Sequence, residues 1–131
     1  MRILIAEDDA TSALYMSGLL ARFGECTVVE NGEQALSAYH AAKGEGRPFE
    51  FICLDIMMPR RNGQEVLEAI RAEESAAGLD PAQGVKIVMT TALGDVHSVM
   101  NAYKGGATAY VTKPILTERL YETMCSLGFE V

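Results

Sequence analysis

The stretch Phe51-Ile52-Cys53-Leu54-Asp55-Ile56-Met57-Met58-Pro59 decides the fold, because an unbroken apolar run ends there in a single carboxylate. A second run of the same kind, Ile3–Ala6, leads directly into Glu7 and Asp8. If the two runs are neighbouring strands, these two acids converge with Asp55. Like charges roughly 5 Å apart repel by about 3 kcal/mol per pair at an effective dielectric constant near 20. The two runs therefore predict a cluster of carboxylates that needs a cation.

Five short apolar runs alternate along the chain with five longer segments whose apolar residues recur at helical spacing. This alternation is typical of an α/β fold with a parallel sheet. Because the runs are continuously apolar, we expect both faces of the sheet to be buried under helices. The predicted strands are Ile3–Ala6, Cys26–Val29, Phe51–Leu54, Val85–Met89 and Ala109–Val111.

The segments between the strands carry apolar stripes at intervals of three and four residues, which predict helices with one buried face. Asn31, Asn62 and Asp95 are candidate helix starts. Two long connections, residues 43–48 and 73–84, are predicted before strands, at the end of the sheet where ligands do not bind. The stripes are Ala13, Met16, Leu20 and Phe23; Leu36, Tyr39 and Ala42; Val66, Ile70 and Ala77; Val96, Val99, Met100 and Tyr103; and Leu116, Leu120, Met124 and Leu127.

Length and charge restrict the class of protein. A chain of 131 residues suits one core, so residues 1–131 are predicted to form a single domain. The net charge of −7 argues against a DNA-binding surface, which needs clustered Lys and Arg. The chain turns acidic at Glu7, too early for a signal peptide, and no apolar run approaches the ~20 residues of a membrane span. We therefore predict a cytoplasmic protein that contacts neither DNA nor a membrane directly.

Polar side chains follow four of the five predicted strands. After the first and third strands these are the acids; Thr90-Thr91 follow the fourth strand and Thr112-Lys113-Pro114 the fifth. In a parallel sheet these strand ends share one edge. Carboxylates with a backbone carbonyl and water give the oxygen environment that Mg²⁺ prefers. An amine and a hydroxyl beside them suit phosphoryl oxygens, so the sequence predicts a site for both groups.

These residues resemble the receiver domains of bacterial two-component response regulators, and the resemblance spans nearly the whole chain. The elements follow the family's order: an acidic pair, a phosphoacceptor aspartate with a Met-Pro and Gly pattern, a Thr-Ala pair, an aromatic switch residue and Lys-Pro. The resemblance implies a doubly wound, flavodoxin-like (βα)5 fold with a five-stranded parallel sheet of order 2-1-3-4-5, in a stand-alone regulator. The matching residues are Glu7 and Asp8; Asp55, Met58, Pro59 and Gly63; Thr91 and Ala92; Tyr110; and Lys113 and Pro114.

The resemblance implies that Asp55 accepts a phosphoryl group from a sensor histidine kinase or a histidine phosphotransfer protein. It also implies a Mg²⁺ ion, or Mn²⁺, bound directly by Asp8, Asp55 and the backbone carbonyl of Met57, and by Glu7 through water. We align Glu7 and Asp8, not Asp8 and Asp9, with the family's acidic pair. The third acid of the triplet suits a helix start instead.

The remaining site residues are implied to neutralise and bind the phosphoryl group. A carboxylate attacks an anion poorly unless charge is neutralised, and Mg²⁺ with Lys113 supplies three positive charges. The Thr91 hydroxyl and the backbone N–H of Ala92 would bind the other oxygens. Proline keeps the preceding residue out of helical geometry, and the family suggests a cis bond between Lys113 and Pro114 that aims the amine into the site.

The implied output is a population shift that changes a protein-binding face. Thr91 would move towards the phosphoryl group while Tyr110 turns inward, and the target is an unidentified downstream protein. Met57 and Leu93 stand where many family members carry polar groups that influence the hydrolytic water, so we predict a comparatively long-lived phosphorylated state. The protein would not be an enzyme beyond catalysing its own phosphorylation and dephosphorylation.

Other functions remain open at this point. A phosphorelay intermediate would pass the group on to a histidine phosphotransfer protein. A phosphatase of the haloacid dehalogenase type also uses an aspartate nucleophile and Mg²⁺, but it needs a second acid two residues later, where this chain has Met57. A flavodoxin-like or dinucleotide-binding module needs a Gly-rich or hydroxyl-rich phosphate loop after the first strand, where Glu7-Asp8-Asp9 would repel phosphate.

Overall fold

The computed structural model describes residues 1–58, 60–80, 83–91, 106–113 and 115–129. Within these ranges five strands form one parallel sheet in the order β2-β1-β3-β4-β5, which confirms the predicted fold class and strand order. The elements are β1 Arg2–Ala6, α1 Ala10–Leu20, β2 Glu25–Val29, α2 Gly32–Gly44, β3 Phe51–Asp55, α3 Gly63–Ala76, β4 Lys86–Thr91, β5 Ala109–Thr112 and α4 Thr117–Ser126. The helix predicted from Val96, Val99, Met100 and Tyr103, with its start at Asp95, lies outside the described residues.

The sheet is covered on both faces, because alternate residues of its central strands point to opposite sides. In β1, Leu4 packs with residues of α2 and α3, while Ile3 and Ile5 pack with residues of α1 and α4. In β3, Ile52 faces the first of these cores and Phe51 the second. All five of these side chains are at most 1% exposed. This continuous burial explains why Ile3–Ala6 of β1 and Phe51–Leu54 of β3 contain only apolar residues.

The four predicted apolar stripes that fall on described residues are mostly buried or half-buried, with exceptions at the ends of helices. Leu116 is 55% exposed because it occupies the position just before α4, where the chain is not yet helical. Ala77 is exposed at the end of α3. In β2, Val28 is 43% exposed because this strand lies at the edge of the sheet, so the expected burial of both faces is wrong there.

Three helix starts are fixed by local hydrogen bonds. The side chains of Asp9, Asn31 and Asn62 accept from backbone N–H groups three residues later, at 3.2, 2.9 and 2.9 Å. At α3 the bond is reciprocated, since Glu65 accepts from the N–H of Asn62. These contacts confirm Asp9, Asn31 and Asn62 as helix-start residues.

The long connections before β3 and β4 are shorter than predicted. The helix α2 continues to Gly44 and α3 to Ala76, so residues 43–44 and 73–76 are helical. The extension of α3 is stabilised by burial of Arg71 and Glu74, which are 7% and 5% exposed. Their partners come from distant parts of the chain, which is why helical periodicity alone does not reveal the end of α3.

None of the described helices is long and apolar enough to cross a membrane.

Candidate functional site

The two acidic runs meet at the carboxyl edge of the sheet because β1 and β3 are neighbours. Ala6 pairs with Leu54, so the residues that follow each strand are brought together. One carboxylate oxygen from each of Glu7, Asp8 and Asp55 lies within 4.8 Å of the others. Glu7 and Asp55 are each 4% exposed, whereas Asp8 is exposed. The predicted convergence of the three acids is confirmed.

Asp9 does not belong to this cluster. Its side chain accepts from both the backbone N–H and the hydroxyl of Ser12, at 3.2 and 2.7 Å, and these bonds hold the pKa of Asp9 below its usual value. The geometry therefore agrees with the choice of Glu7 and Asp8 as the acidic pair and of Asp9 as a helix-start acid.

Lys113 lies directly after β5 and reaches the cluster across β4. Its Nζ donates to Glu7 Oε1 at 2.5 Å and to Asp55 Oδ2 at 3.2 Å. The Lys113 side chain is 23% exposed, against 4% and 6% for the two acids, so these ion pairs are largely shielded from water. Charge-assisted hydrogen bonds of this kind are about twice as strong as neutral ones. Among the described residues, Lys113 is the cation paired with the cluster, and its single charge balances only part of the charge of the three acids.

Burial and the neighbouring charges shift the pKa values of Glu7 and Lys113. Burial raises the pKa of Glu7, and a hydrogen bond with Asp55 adds to this, which together outweigh the opposing effect of Lys113. Burial alone would lower the pKa of Lys113, but the hydrogen bond with Glu7 and the charge of Asp55 raise it above its usual value. Lys113 is therefore held as a cation beside the carboxylates.

The turn after β3 fixes the orientation of the Asp55 carboxylate. Oδ1 accepts from the backbone N–H of Met57 at 3.1 Å, and Oδ2 accepts from Lys113. The N–H of Ile56 donates to the carbonyl of Thr90 at 3.0 Å, which ties the turn to β4. Within the part of the chain that the structure describes, each Asp55 oxygen thus has a donor at a defined position.

Gly63 allows this turn to close. Its N–H donates to the Ile56 carbonyl at 3.0 Å, and a Cβ built on Gly63 would lie 2.3 Å from the carbonyl oxygen of Asp55. No rotation of a side chain relieves such a contact, because both atoms belong to the backbone or are attached to it directly.

We expect Gly63→Ala to lower the free energy of unfolding by about 2 kcal/mol, since overpacking against backbone forces the turn to shift. The variant should also reduce any reaction of Asp55. Urea denaturation of Gly18→Ala provides the control: Gly18 lies inside α1 with nothing within 4 Å of a built Cβ, so this change should stabilise by up to about 1 kcal/mol. Equal stability of the two variants would contradict the close approach at Gly63.

The donor set suits a hard divalent cation. Three carboxylates supply only oxygen atoms, as Mg²⁺ requires, and the exposure of Asp8 leaves the cluster open to solvent on one side. The backbone of Met57 adjoins Asp55, while the Met57 side chain is 74% exposed and points to solvent. The residues present therefore fit the predicted ion.

Some predicted site residues are described in part or not at all. Thr91 pairs through its backbone with Thr112 of β5, but its side chain is outside the described residues, as are Ala92, Leu93 and Pro114. The predicted hydroxyl and N–H donors and the cis bond therefore stay predictions. Tyr110 is half-buried and packs against the core formed with α2 and α3.

Two features of the site were not foreseen from the sequence. The direct pairing of Glu7 with Lys113 joins residues 106 positions apart, so no local pattern indicates it. Exposed apolar side chains also lie near the cluster. Leu14 on α1, 76% exposed, shares a cavity with Glu7 and Asp8, and exposed Met57 is two residues from Asp55. A cavity of about 410 Å³ lined by Tyr15, Lys113 and neighbouring residues lies on one side of α1.

Known proteins are similar to this chain in sequence and in architecture. The family described as response regulator receiver domain matches residues 3–124. The chain is 32% identical over 124 residues to hybrid signal transduction histidine kinase I of Dictyostelium discoideum, covering 94% of this chain and 7% of that protein. It is 35% identical over 120 residues to the DNA-binding response regulator MtrA of Mycobacterium tuberculosis, covering 91% and 46%. It thus spans less than half of either relative.

A solved structure shares the fold. The Vibrio cholerae chemotaxis protein CheY4 superposes with a TM-score of 0.80 at 23% identity, covering 96% of this chain and 97% of that one. The sheet order, the acidic cluster at its carboxyl edge and the family match over residues 3–124 agree with one another. This chain belongs to the response regulator receiver domain family.

Proposed function

We propose that this receiver domain, comprising residues 1–131, is a phosphoacceptor switch in which Asp55 takes a phosphoryl group from a protein histidine. The observation that carries the proposal is the placement of Lys113 between two buried carboxylates, 3.2 Å from Asp55 Oδ2 and 2.5 Å from Glu7 Oε1. An amine held there can bind a phosphoryl oxygen once Asp55 carries the group. The third acid, Asp8, completes an oxygen cluster open to a metal ion.

The transfer makes one bond and breaks one. A carboxylate oxygen of Asp55 attacks phosphorus, the phosphorus–nitrogen bond of the donor histidine breaks, and its electrons stay on the imidazole. Little covalent chemistry is required of the protein, so positioning and charge stabilisation carry the rate. Lys113 would bind a phosphoryl oxygen and neutralise part of its charge, while the Met57 N–H orients the attacking carboxylate. The Thr91 hydroxyl and the Ala92 N–H are the proposed donors to the other phosphoryl oxygens.

Asp8, Asp55, the Met57 carbonyl and, through water, Glu7 are the residues we propose to hold Mg²⁺ or Mn²⁺. When bound, the ion supplies positive charge beside the phosphoryl oxygens. The protein in turn keeps Glu7 and Asp55 buried and oriented through Lys113.

Asp8→Asn should distinguish the effect of Asp8 on metal binding from its effect on the stability of the metal-free protein. Removing this exposed acid relieves repulsion with Glu7 and Asp55, so the metal-free protein should gain about 1 kcal/mol of stability. The same change should weaken the thermal stabilisation that added Mg²⁺ gives the parent, because at a fixed ion concentration a ligand that binds less tightly stabilises the folded state less. Thermal denaturation with and without Mg²⁺ measures both; a parent protein that does not respond to Mg²⁺ would contradict the site.

The basic test is incubation with acetyl phosphate and Mg²⁺, followed by intact-mass measurement. We expect one phosphoryl adduct per chain. Turnover of a phosphate ester such as p-nitrophenyl phosphate would instead favour a dehalogenase-type phosphatase, whose second acid is replaced here by the exposed, apolar Met57. We expect no such turnover, since the protein would catalyse only its own phosphorylation and dephosphorylation.

The lifetime of the adduct is expected to be long, because the apolar Met57 side chain cannot orient a hydrolytic water beside Asp55. Met57→Asn combined with Leu93→Glu should shorten the half-life in Mg²⁺, measured as loss of the adduct with time. The single variant Leu14→Asn, which alters an equally exposed apolar residue on α1, is the control. An unchanged half-life in the double variant would count against this hypothesis.

The phosphodonor is proposed to be a sensor histidine kinase or a histidine phosphotransfer protein. Exposed Leu14, Tyr15 and Met57 near the acids favour a protein donor, because a small donor would not cover these side chains. An output regulator in the cytoplasm would bind its target more tightly when phosphorylated. A relay intermediate would instead lose phosphate rapidly to a histidine phosphotransfer protein.

A further inference from the structure

A buried ion pair lies far along α3 from the carboxylate cluster. Arg71 Nη1 donates to Glu74 Oε1 at 2.6 Å, and the two side chains are 7% and 6% exposed. The cluster sits where α3 begins, beside Asp55, whereas this pair contacts residues that precede β4 and β5. It therefore lies at the amino-terminal edge of the sheet, and nothing in the proposed phosphoryl chemistry uses it.

The pair joins three elements through directed hydrogen bonds. Arg71 donates through Nε to the Gly106 carbonyl at 2.8 Å and through Nη2 to the Val85 carbonyl at 2.8 Å and the Thr108 hydroxyl at 3.3 Å. Glu74 Oε2 accepts from the N–H of Val85 at 2.8 Å. The planar guanidinium can satisfy several fixed acceptors at once, which a lysine amine cannot do in this geometry.

Thr108 links Arg71 to β4 through hydrogen bonds. Its hydroxyl accepts from the N–H of Ile87 at 3.0 Å, and its own N–H donates to the Ile87 carbonyl at 2.8 Å. The start of β5 is thus held by β4 directly and by α3 through Arg71. Further along the strand, Val111 and Thr112 pair with Thr90 and Thr91, close to Lys113.

Two glycines accommodate the pair. A Cβ on Gly84 would lie 2.2 Å from a Glu74 carboxylate oxygen, and Gly106 has φ +97° with a built Cβ 3.1 Å from Arg71. A buried ion pair gives little net stability compared with apolar residues of similar size, and its clearest use is to fix one arrangement of the chain. The hydrogen bonds of Arg71 and Glu74 to residues before β4 and β5 suit a role in fixing one arrangement of these elements.

We propose that Arg71 and Glu74 form a clamp that fixes the amino-terminal end of β5 to α3 and β4, so that changes caused by phosphorylation are confined to the carboxyl-terminal end of β5. This role rests on the proposed phosphorylation of Asp55. It assigns Arg71 as a positioning residue that acts on Tyr110 and Lys113 through the strand that carries them.

The clamp itself can be tested without phosphate by amide hydrogen exchange. Arg71→Met combined with Glu74→Gln removes both charges and leaves an acceptor for the Val85 N–H. The amides of Ile87 and Thr108 are the reporters, because their own hydrogen-bond partners are unchanged. We expect their exchange to accelerate by about tenfold or more relative to the Leu4 amide, as loss of charged hydrogen bonds allows local opening.

Glu73→Gln is the matched control, since Glu73 adjoins Glu74 but makes an exposed pair with His40. It should leave the Ile87 and Thr108 amides unchanged. If the double variant does not fold, Arg71→Lys keeps the positive charge beside Glu74 but cannot bridge all three acceptors, and it should show the same selective loss of protection. Uniform exchange changes across the sheet in either variant would overturn the clamp.

The regulatory role is tested on the adduct formed with acetyl phosphate. In the parent, phosphorylation should alter exchange at Val111 and Thr112 and leave Thr108 unchanged; in the double variant the change should extend to Thr108. A parent in which Thr108 responds as strongly as Val111 would overturn the proposal. If no adduct forms, the proposed function is wrong, and so is the proposal that phosphorylation changes are confined to the carboxyl-terminal end of β5. The exchange comparison without phosphate still decides whether Arg71 and Glu74 form the clamp.

Discussion

Asp55→Asn is expected to abolish the phosphoryl adduct formed with acetyl phosphate and Mg²⁺. The amide oxygen is a much weaker nucleophile than a carboxylate oxygen, and no other acid in the cluster has the same placement between the Met57 N–H and Lys113. The fold should persist, because asparagine has nearly the same shape and its oxygen can still accept from Met57. Intact mass after incubation gives the result directly.

Asp9→Asn is the matched control for the loss of one acid near the site. Asp9 is bound to Ser12 at the start of α1, and asparagine caps helices equally well, so this variant should be phosphorylated like the parent. An adduct that forms unchanged on Asp55→Asn would disprove the central assignment. Loss of the adduct in Asp9→Asn would show that the acidic pair had been misaligned.

Lys113→Met should reduce both stability and phosphorylation. Without the amine, Glu7 and Asp55 remain buried without their cation, and the metal-free protein should lose about 2 kcal/mol, less than for a fully buried pair because Lys113 is 23% exposed. The rate of adduct formation should fall by roughly a hundredfold or more, as when one oxyanion donor is removed. Urea denaturation and timed intact-mass measurements follow the two effects separately.

A second substitution distinguishes these two roles of Lys113. Glu7→Gln added to Lys113→Met removes one unpaired acid, so stability should largely return, whereas the phosphorylation rate should stay low because the donor to the phosphoryl oxygen is still missing. Lys43→Met removes an exposed lysine on α2 whose contact with the Tyr39 ring contributes about 0.5 kcal/mol, so it should lower stability much less than Lys113→Met and leave the phosphorylation rate unchanged. If Lys113→Met were as stable as the parent without Mg²⁺, the pairing with the buried acids would be wrong.

The features predicted correctly from the sequence depend on short-range rules. Helix starts at Asp9, Asn31 and Asn62 need a hydrogen bond to a residue three positions later, so the local sequence contains both partners. The central strands need side chains that are apolar on both faces, and Phe51–Asp55 shows this until its last residue. The acids stand out because they end such runs.

The features that were missed depend on distant neighbours. The connection after α3 was predicted to start too early, at residue 73, because the burial of Arg71 and Glu74 requires partners at Val85, Gly106 and Thr108. Leu116 has helical spacing with Leu120 but lies before the first turn of α4, where its side chain is exposed. Spacing alone does not distinguish these cases.

The sequence by itself determined which residues end the buried strands, and therefore that acids, a hydroxyl and a lysine collect at one edge of the sheet. Only the tertiary structure decided how they pair: Lys113 binds Glu7 as well as Asp55, and Arg71 joins α3 to β4 and β5. The physical reason is the separation along the chain between the residues that specify each feature. A strand or helix start is specified within a few residues, whereas an ion pair between residues 106 positions apart exists only once the strand order and the packing of the sheet place its partners together.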